Sequence, residues 1–388
     1  MQRQKIAVLR ANALGDFIFA LPALQALRTS FPHHEIVYLG RKMHQDLMAG
    51  RPGPVDRVVV VPPYPGVGEK ETYVPDAAQV DAFFHDMQQE QFEIAIQLHG
   101  GGANSNPFLK KLGARLNVGL QAPGAPPLDI NVPYITYFSE TLRFLEVVSA
   151  IGAGTMDIRP RLTVTDEDIA EIAKVLPELN SVPYVMVHAS ASDRRRHWPA
   201  ARFARVADFF GAKGYRVCFN GLASEYAIVE NIIRQMQYAG MACNLSGQLS
   251  IKGLVGLVAM ARLIVSNDSG PLHVAHALEI PAVGIYWAGN MITGSPVACR
   301  YSRPLISWTS HCPLCGMHVQ HLNNRPSDCR HDTSFVADVQ TEEVLAAVQD
   351  LLERPYEKQQ SCRHTAKMYV SDFLQEKAAS DGTIHTAN

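Results

Sequence analysis

Five consecutive residues, Ser266-Asn267-Asp268-Ser269-Gly270, stand between an apolar run and a helix-length segment that begins at Pro271. A strand that enters a small polar turn and then a helix gathers backbone N–H groups and the positive end of the helix dipole at one point. A phosphate can sit there. Gly270 lets the backbone approach closely, Ser269 adds a hydroxyl donor, and His273 follows three residues on, over the same side of the first turn. A plain capped helix fits the same spacing, with Asp268 or Ser269 as N-cap and His273 a partly buried structural residue.

Two further segments carry groups of the right kind. His188-Ala189-Ser190-Ala191-Ser192-Asp193-Arg194-Arg195-Arg196-His197-Trp198-Pro199 places three arginines in a small-residue loop at the C-terminal end of a strand. Arg194 and Arg196 there suit a diphosphate leaving group, although most charge runs are solvated faces. Ala11-Asn12-Ala13-Leu14-Gly15-Asp16 joins the first strand to the first helix. Asp16 is either an N-terminal capping residue or a carboxylate aimed into a crevice, where it can serve as a general base.

The segment 311–331 is a separate case. It holds Cys312, Cys315, His318, His321, Cys329 and His331. A Cys-x-x-Cys knuckle with a third cysteine and a histidine can supply four tetrahedral zinc ligands. The candidate set for a structural zinc is Cys312, Cys315 and Cys329 with His331 or His318. Reduced, buried cysteines in a loop are the alternative.

These groups need a scaffold. Short apolar runs at 5–9, 35–39, 57–61, 93–97 and 116–120 alternate with helix-length segments, the first at 20–30 with Pro22 in its opening turn. The pattern restarts with strands at 184–188, 216–220, 263–266 and 282–286 and a helix at 201–213. Buried strands separated by helices imply parallel sheets in βαβ units. The expectation is an α/β chain of two doubly wound domains, residues 1–165 and 166–355, facing a cleft. Thr165 and the acids after it suit a helix start at the junction. Pro/Gly-rich loops are expected at 62–75 and 121–133, and a poorly ordered polar tail at 356–388.

Composition narrows the classes. With 388 residues, two domains are the default. A formal net charge of −2 gives no global drive toward nucleic acid, and no such partner is expected. No apolar stretch approaches the roughly 20 residues of a membrane span. Seven cysteines in uneven spacing do not suggest a disulfide framework, and a cytoplasmic protein is expected. The absence of a G-x-G-x-x-G run disfavours a conventional dinucleotide dehydrogenase.

Taken together, Leu9-Arg10-Ala11-Asn12-Ala13-Leu14-Gly15-Asp16 with Leu21-Pro22-Ala23-Leu24, then His188-Ala189-Ser190 with Trp198-Pro199 and Phe203, then Asn267-Asp268-Ser269-Gly270 with His273, Ala275 and Pro281, resemble glycosyltransferase family 9, the ADP-heptose:lipopolysaccharide heptosyltransferases. The resemblance spans roughly residues 5–350. It implies a GT-B fold, with the acceptor held mainly by the first Rossmann-like domain and the nucleotide sugar by the second. It further implies an inverting, metal-independent transfer that needs no cofactor, from a nucleotide-diphosphate donor such as ADP-heptose to a lipopolysaccharide core or related saccharide or glycolipid. Asp16 matches the family's general base. Ser269, Gly270 and His273 match its pyrophosphate turn, Asp268 a residue near the donor sugar, Glu225 the acid near the ribose, and Leu249 a backbone contact to the base.

The chain departs from the family at two places. A lysine commonly precedes the Trp-Pro pair, where this chain has Arg196-His197, and the two cations differ in geometry. Hydroxyl residues common before Gly15-Asp16 are replaced by Ala11 and Ala13. A sugar-nucleotide epimerase or hydrolase, and a non-catalytic nucleotide-binding member, are the alternative readings. A glycolipid acceptor implies peripheral contact with the inner face of the cytoplasmic membrane, for which Lys110, Lys111 and Arg115 beside Phe108 and Leu109 are the candidate surface. Nothing in the residues separates ADP from UDP or GDP.

Overall fold

A computed structural model describes residues 3–177, 182–297, 300–318, 329 and 331–354. The tail expected at 356–388, and His321, lie outside the described residues.

The first sheet is built from β1 (Lys5–Leu9), β2 (Glu35–Gly40), β3 (Arg57–Val60), β6 (Ile94–Gln97), β7 (Leu116–Gln121) and β8 (Ile130–Pro133), in the order β3-β2-β1-β6-β7-β8. A two-stranded pair, β4 (Tyr64–Pro65) with β5 (Gly68–Glu69), stands apart. The helices are α1 (Leu14–Ser30), α2 (Lys42–Met48), α3 (Ala77–Gln89), α4 (Ser105–Lys110), α5 (Glu140–Ser149) and α6 (Asp166–Val175). The second sheet comprises β9 (Tyr184–His188), β10 (Arg216–Phe219), β11 (Ala242–Asn244), β12 (Ile264–Asn267), β13 (Ala282–Trp287) and β14 (Ser302–Ser307), in the order β11-β10-β9-β12-β13-β14. Its helices are α7 (Ala200–Ala212), α8 (Tyr226–Ile233), α9 (Ile251–Met260), α10 (Gly270–Ala277), α11 (Ala288–Gly294) and α12 (Thr341–Glu353).

All strand pairs within the two six-stranded sheets are parallel. The central strands are buried along their length, which is why 6–9 in β1, 184–187 in β9 and 263–265 leading into β12 read as apolar runs. In both sheets the strand order reverses beside the first strand, at β1/β6 and β9/β12. Such switch points open a crevice at the strands' carboxyl ends. Asp16, the arginine run and Asp268–Gly270 directly follow β1, β9 and β12, so the topology sets each at the carboxyl end of its own sheet.

Local expectation fails at three places. The first helix starts at Leu14, not Ala20, so Pro22 lies inside it. A proline there removes one backbone hydrogen bond and crowds the preceding turn. The helix runs on because it is buried on nearly every side, with Phe17, Ile18, Leu21 and Leu24 at most 3% exposed. Segment 62–75 contains the β4–β5 pair, and segment 121–133 closes into the edge strand β8. No helix among the described residues is long and apolar enough to cross a membrane.

The two halves meet along α1 and α10. Phe17 and Leu21 of α1 share one buried apolar cluster with Leu272 and Ala275 of α10. A Cβ on Gly15 would stand 2.7 Å from the His273 ring, so the approach requires glycine. At the other end of the junction, Arg51 makes a bidentate pair with Asp168 of α6, both bonds 2.7 Å long and both side chains fully buried. Because α6 packs on α9, this pair ties the first half to the second.

Candidate active site

The β12–α10 turn forms one wall. Asn267 is committed to the scaffold: its side chain accepts from the Trp198 N–H at 3.2 Å and donates to the Ala189 carbonyl at 2.7 Å. That pins the loop after β9 against the turn. Ser269 caps α10 through its backbone only, and its hydroxyl meets that of Ser266 at 3.1 Å. Pro271 occupies the first turn, where its missing N–H costs nothing. The Leu272 N–H returns to the Ser269 carbonyl at 3.1 Å, so the start of α10 presents the Gly270 N–H and the positive end of the helix to an anion.

Asp268 is buried behind this turn. Its Oδ1 lies 3.1 Å from His273 Nε2, and its Oδ2 accepts from Arg196 Nη1 at 3.2 Å. Burial alone would raise its pKa, but His273 and Arg196 outweigh it and hold the carboxyl below the usual range. Arg196 also donates to the Ser192 hydroxyl at 2.7 Å and faces the cleft.

The other two arginines turn elsewhere. Arg195 is buried, chelated by Asp193, with its guanidinium 5.3 Å from the Trp287 ring and 6.0 Å from the Phe335 ring. Arg194, expected beside the phosphates, is exposed and does not line the cleft.

Above the turn, Glu225 Oε2 accepts from the Leu222 N–H at 2.7 Å, and both residues line the cleft with Asn220 and Leu249. His188, at the end of β9, has Nδ1 3.1 Å from Asn220 Oδ1. Burial pushes its pKa down, so the ring is neutral near pH 7.

Asp16 supplies the opposite wall from the first turn of α1. Its Oδ2 accepts from the Ala13 N–H at 3.0 Å and its Oδ1 from Arg10 Nη2 at 2.5 Å. The same Arg10 nitrogen lies 2.8 Å from Glu140 Oε2. Arg10 is itself buried, which alone would lower its pKa, but Asp16 and Glu140 outweigh burial and keep it protonated. Between the walls lies an open cleft of about 1080 Å³. A carboxylate on one side and an anion turn with a cation on the other can hold a phosphorylated ligand and take a proton from a second one.

Of the residues singled out from sequence, Asp16, Arg196, Glu225, Leu249, Asp268, Ser269, Gly270 and His273 line this one cleft. Arg10, Glu140, Asn220, Tyr134, Thr136 and Tyr137 line it too and were not singled out. Only Arg10 stood inside a quoted motif. The basic–apolar surface expected at 108–115 does not form as drawn. Phe108 and Leu109 are fully buried, and Lys111 lies over the Phe84 ring at 5.2 Å.

The cysteine–histidine segment closes on itself. Ligand atoms of Cys312, Cys315, Cys329 and His331 all lie within 4.8 Å of one another. Cys315 Sγ and Cys329 Sγ are 3.7 Å apart, and His331 Nδ1 is 3.6 Å from Cys312 Sγ and 3.9 Å from Cys329 Sγ. Tetrahedral sulfur ligands at about 2.3 Å from a metal are about 3.8 Å apart, so these three separations match the edges of such a site. His318 instead pairs with His311, ring centroids 4.8 Å apart, and is not in the cluster.

Residues 80–312 match the model of glycosyltransferase family 9 (heptosyltransferase). Among curated proteins, the chain is 23% identical over 316 residues to the lipooligosaccharide heptosyltransferase 2 of Haemophilus ducreyi, covering 78% of this chain and 86% of that protein. Among solved structures it resembles the E. coli ADP-heptose lps heptosyltransferase II, with a TM-score of 0.68 and 16% identity over 90% of this chain and 98% of that one. It also resembles the iron-containing dodecameric glycosyltransferase TibC from enterotoxigenic E. coli H10407, with a TM-score of 0.53 and 14% identity over 91% and 79% of the two chains.

Proposed function

Because the chain belongs to glycosyltransferase family 9 and is a glycosyltransferase of GT-B fold, we propose that it transfers heptose from ADP-heptose to a lipopolysaccharide-core or related saccharide hydroxyl, with inversion. The observation that carries this reading is the pair of facing walls. Asp16 looks across one cleft at the anion turn Asp268–Gly270 with Arg196 beside it. In this reading residues 166–355 hold the donor and residues 1–165 the acceptor.

Asp16 takes the proton of the acceptor hydroxyl as its oxygen attacks the anomeric carbon. The carbon–oxygen bond to the diphosphate breaks on the far face, so the anomeric configuration inverts. Negative charge grows on the leaving diphosphate, where the α10 N-terminus, the Ser269 hydroxyl and Arg196 stabilise it. Glu225 and Leu249 contact the nucleoside, and His273 braces Asp268 beside the transferred sugar. Support for ADP-heptose comes from the relatives' own donors and acceptors.

The test is incubation of the purified chain with ADP-heptose, with and without a heptose-deficient lipopolysaccharide core. Heptose is expected on the core, with the anomeric configuration reversed by NMR, and ADP release is expected to depend on the core. ADP release at the same rate without the core would replace transfer with hydrolysis, and donor consumed without ADP release would replace it with epimerisation. A thermal-shift panel of nucleotide sugars reads the donor independently, since a ligand at about 100 times its Kd stabilises by about 2.7 kcal/mol.

We infer further that Cys312, Cys315, Cys329 and His331 hold a structural metal, zinc or iron. The edge lengths among their ligand atoms support this, as does the iron content of the TibC structure. The segment returns to the body through Phe335, which packs on Trp287 beneath Arg195. Elemental analysis is expected to find about one equivalent per chain, and chelation to lower the melting temperature. Metal well below one equivalent in protein purified without chelator removes the assignment.

A further inference from the structure

We infer that Glu140 is a positioning residue that joins the base to the acceptor-binding wall, an inference that rests on the proposed transfer to a saccharide hydroxyl. Glu140 opens α5 and lines the cleft. One carboxylate oxygen accepts from Arg10 Nη2 at 2.8 Å, and the other is ion-paired to Arg143. Arg10 continues to Asp16 at 2.5 Å, while its Nη1 is anchored on the Leu98 carbonyl and its guanidinium lies 4.5 Å from the Phe144 ring.

Arg143 works in the opposite direction. It is 1% exposed, and its Nη2 donates to the carbonyls of Ile135, Thr136 and Phe138. Its guanidinium also lies 4.3 Å from the Tyr134 ring. The strap 134–138 is therefore drawn tight around one buried cation, with Tyr134, Thr136 and Tyr137 along the cleft. Aromatic faces beside hydroxyls suit a sugar ring, whose C–H faces stack and whose rim hydrogen-bonds.

The result is an alternating chain, Asp16–Arg10–Glu140–Arg143–strap, in which every charge has an opposite neighbour. Its two ends are the group that takes the proton and the surface that seats the ring bearing that proton. Glu140 is the only link touching both cations. Without its charge, Arg10 keeps Asp16 as its one acidic partner here, and Arg143 keeps the strap carbonyls and the Tyr134 ring. The carboxylate and the strap then find their positions separately. Transfer needs the two aligned to a fraction of an ångström, and a misplacement of about 1 Å can cost about 100-fold.

The experiment compares wild type with Glu140→Gln, which keeps size and loses charge, and Glu140→Asp, which keeps charge and loses reach. Both are expected to lower kcat about 10- to 100-fold and raise the acceptor KM, with the Kd for ADP unchanged within about twofold. Amide hydrogen exchange is expected to speed up at 134–138 and stay unchanged at 264–277. The exchange result is independent of turnover, so it reads the coupling even if wild type uses a different donor or acceptor. Unaltered exchange at the strap overturns the inference. So does a rise in the ADP Kd that matches the loss in kcat, because that pattern marks general destabilisation.

Discussion

Replacing Asp16 with alanine is expected to lower kcat by about 100- to 10,000-fold, the range general-base removal usually produces, while the Kd for the nucleotide-sugar donor moves by less than about twofold. The split follows from which wall carries which residue. Among the described residues, Asp16 bonds to Ala13 and Arg10, both on the first half. The anion turn, Arg196 and Glu225 belong to the second half and bond to one another or to neighbouring backbone. The fold tolerates the change because buried Arg10 keeps Glu140 as a counter-ion. Single-turnover kinetics with donor in excess, set beside calorimetric binding of ADP, separates the two quantities. A variant that retains more than about a tenth of wild-type kcat places the base elsewhere.

The second large effect concerns stability. Arg51→Met or Asp168→Ala is expected to cost about 3–5 kcal/mol in urea denaturation, because each strands one charge in a site that water does not reach. Asp168 loses more than the pair, since its Oδ2 also accepts the Thr165 N–H at 2.8 Å and closes the N-terminal box of α6. The double variant Arg51→Met with Asp168→Asn removes both charges and keeps a cap acceptor. It is expected to be more stable than either single variant, because no uncompensated ion remains. Single variants within about 1 kcal/mol of wild type would show that the pair is not a latch between the halves.

Legibility in the sequence followed distance along the chain. The central strands were readable because burial on both faces demands contiguous apolar residues, as in Val185-Met186-Val187 and Ile264-Val265. Of the edge strands, β3 was readable at 57–61, but β8, β11 and β14 were not. β8 ends in Pro133, β11 has three residues, and β14 carries Arg303 and Pro304, all compatible with one open edge and none distinctive. In the site, the anion turn and Asp16 were legible because cap and turn chemistry is local. Glu140 and Arg51 escaped because their partners lie 130 and 117 positions away. Nothing near Glu140 sets it apart from any acid opening a helix. Among three adjacent arginines, only packing shows that Arg195 turns to Trp287 and Arg196 to the cleft.

The close approach of Gly15 to His273 bears on how the chain is made. The Arg10, Asp16 and Glu140 group is complete once α5 has left the ribosome. The cover for that end of α1 comes from Gly270, His273 and Gly294, against Leu14, Gly15 and Phe19. At about 5–20 residues per second, α10 follows α5 by on the order of 5–25 s. Through that interval a finished half carries its acid beside bare apolar surface. The nascent protein is then open to chaperones, and to mispairing with its own kind, at the place where the proposed transfer would later occur.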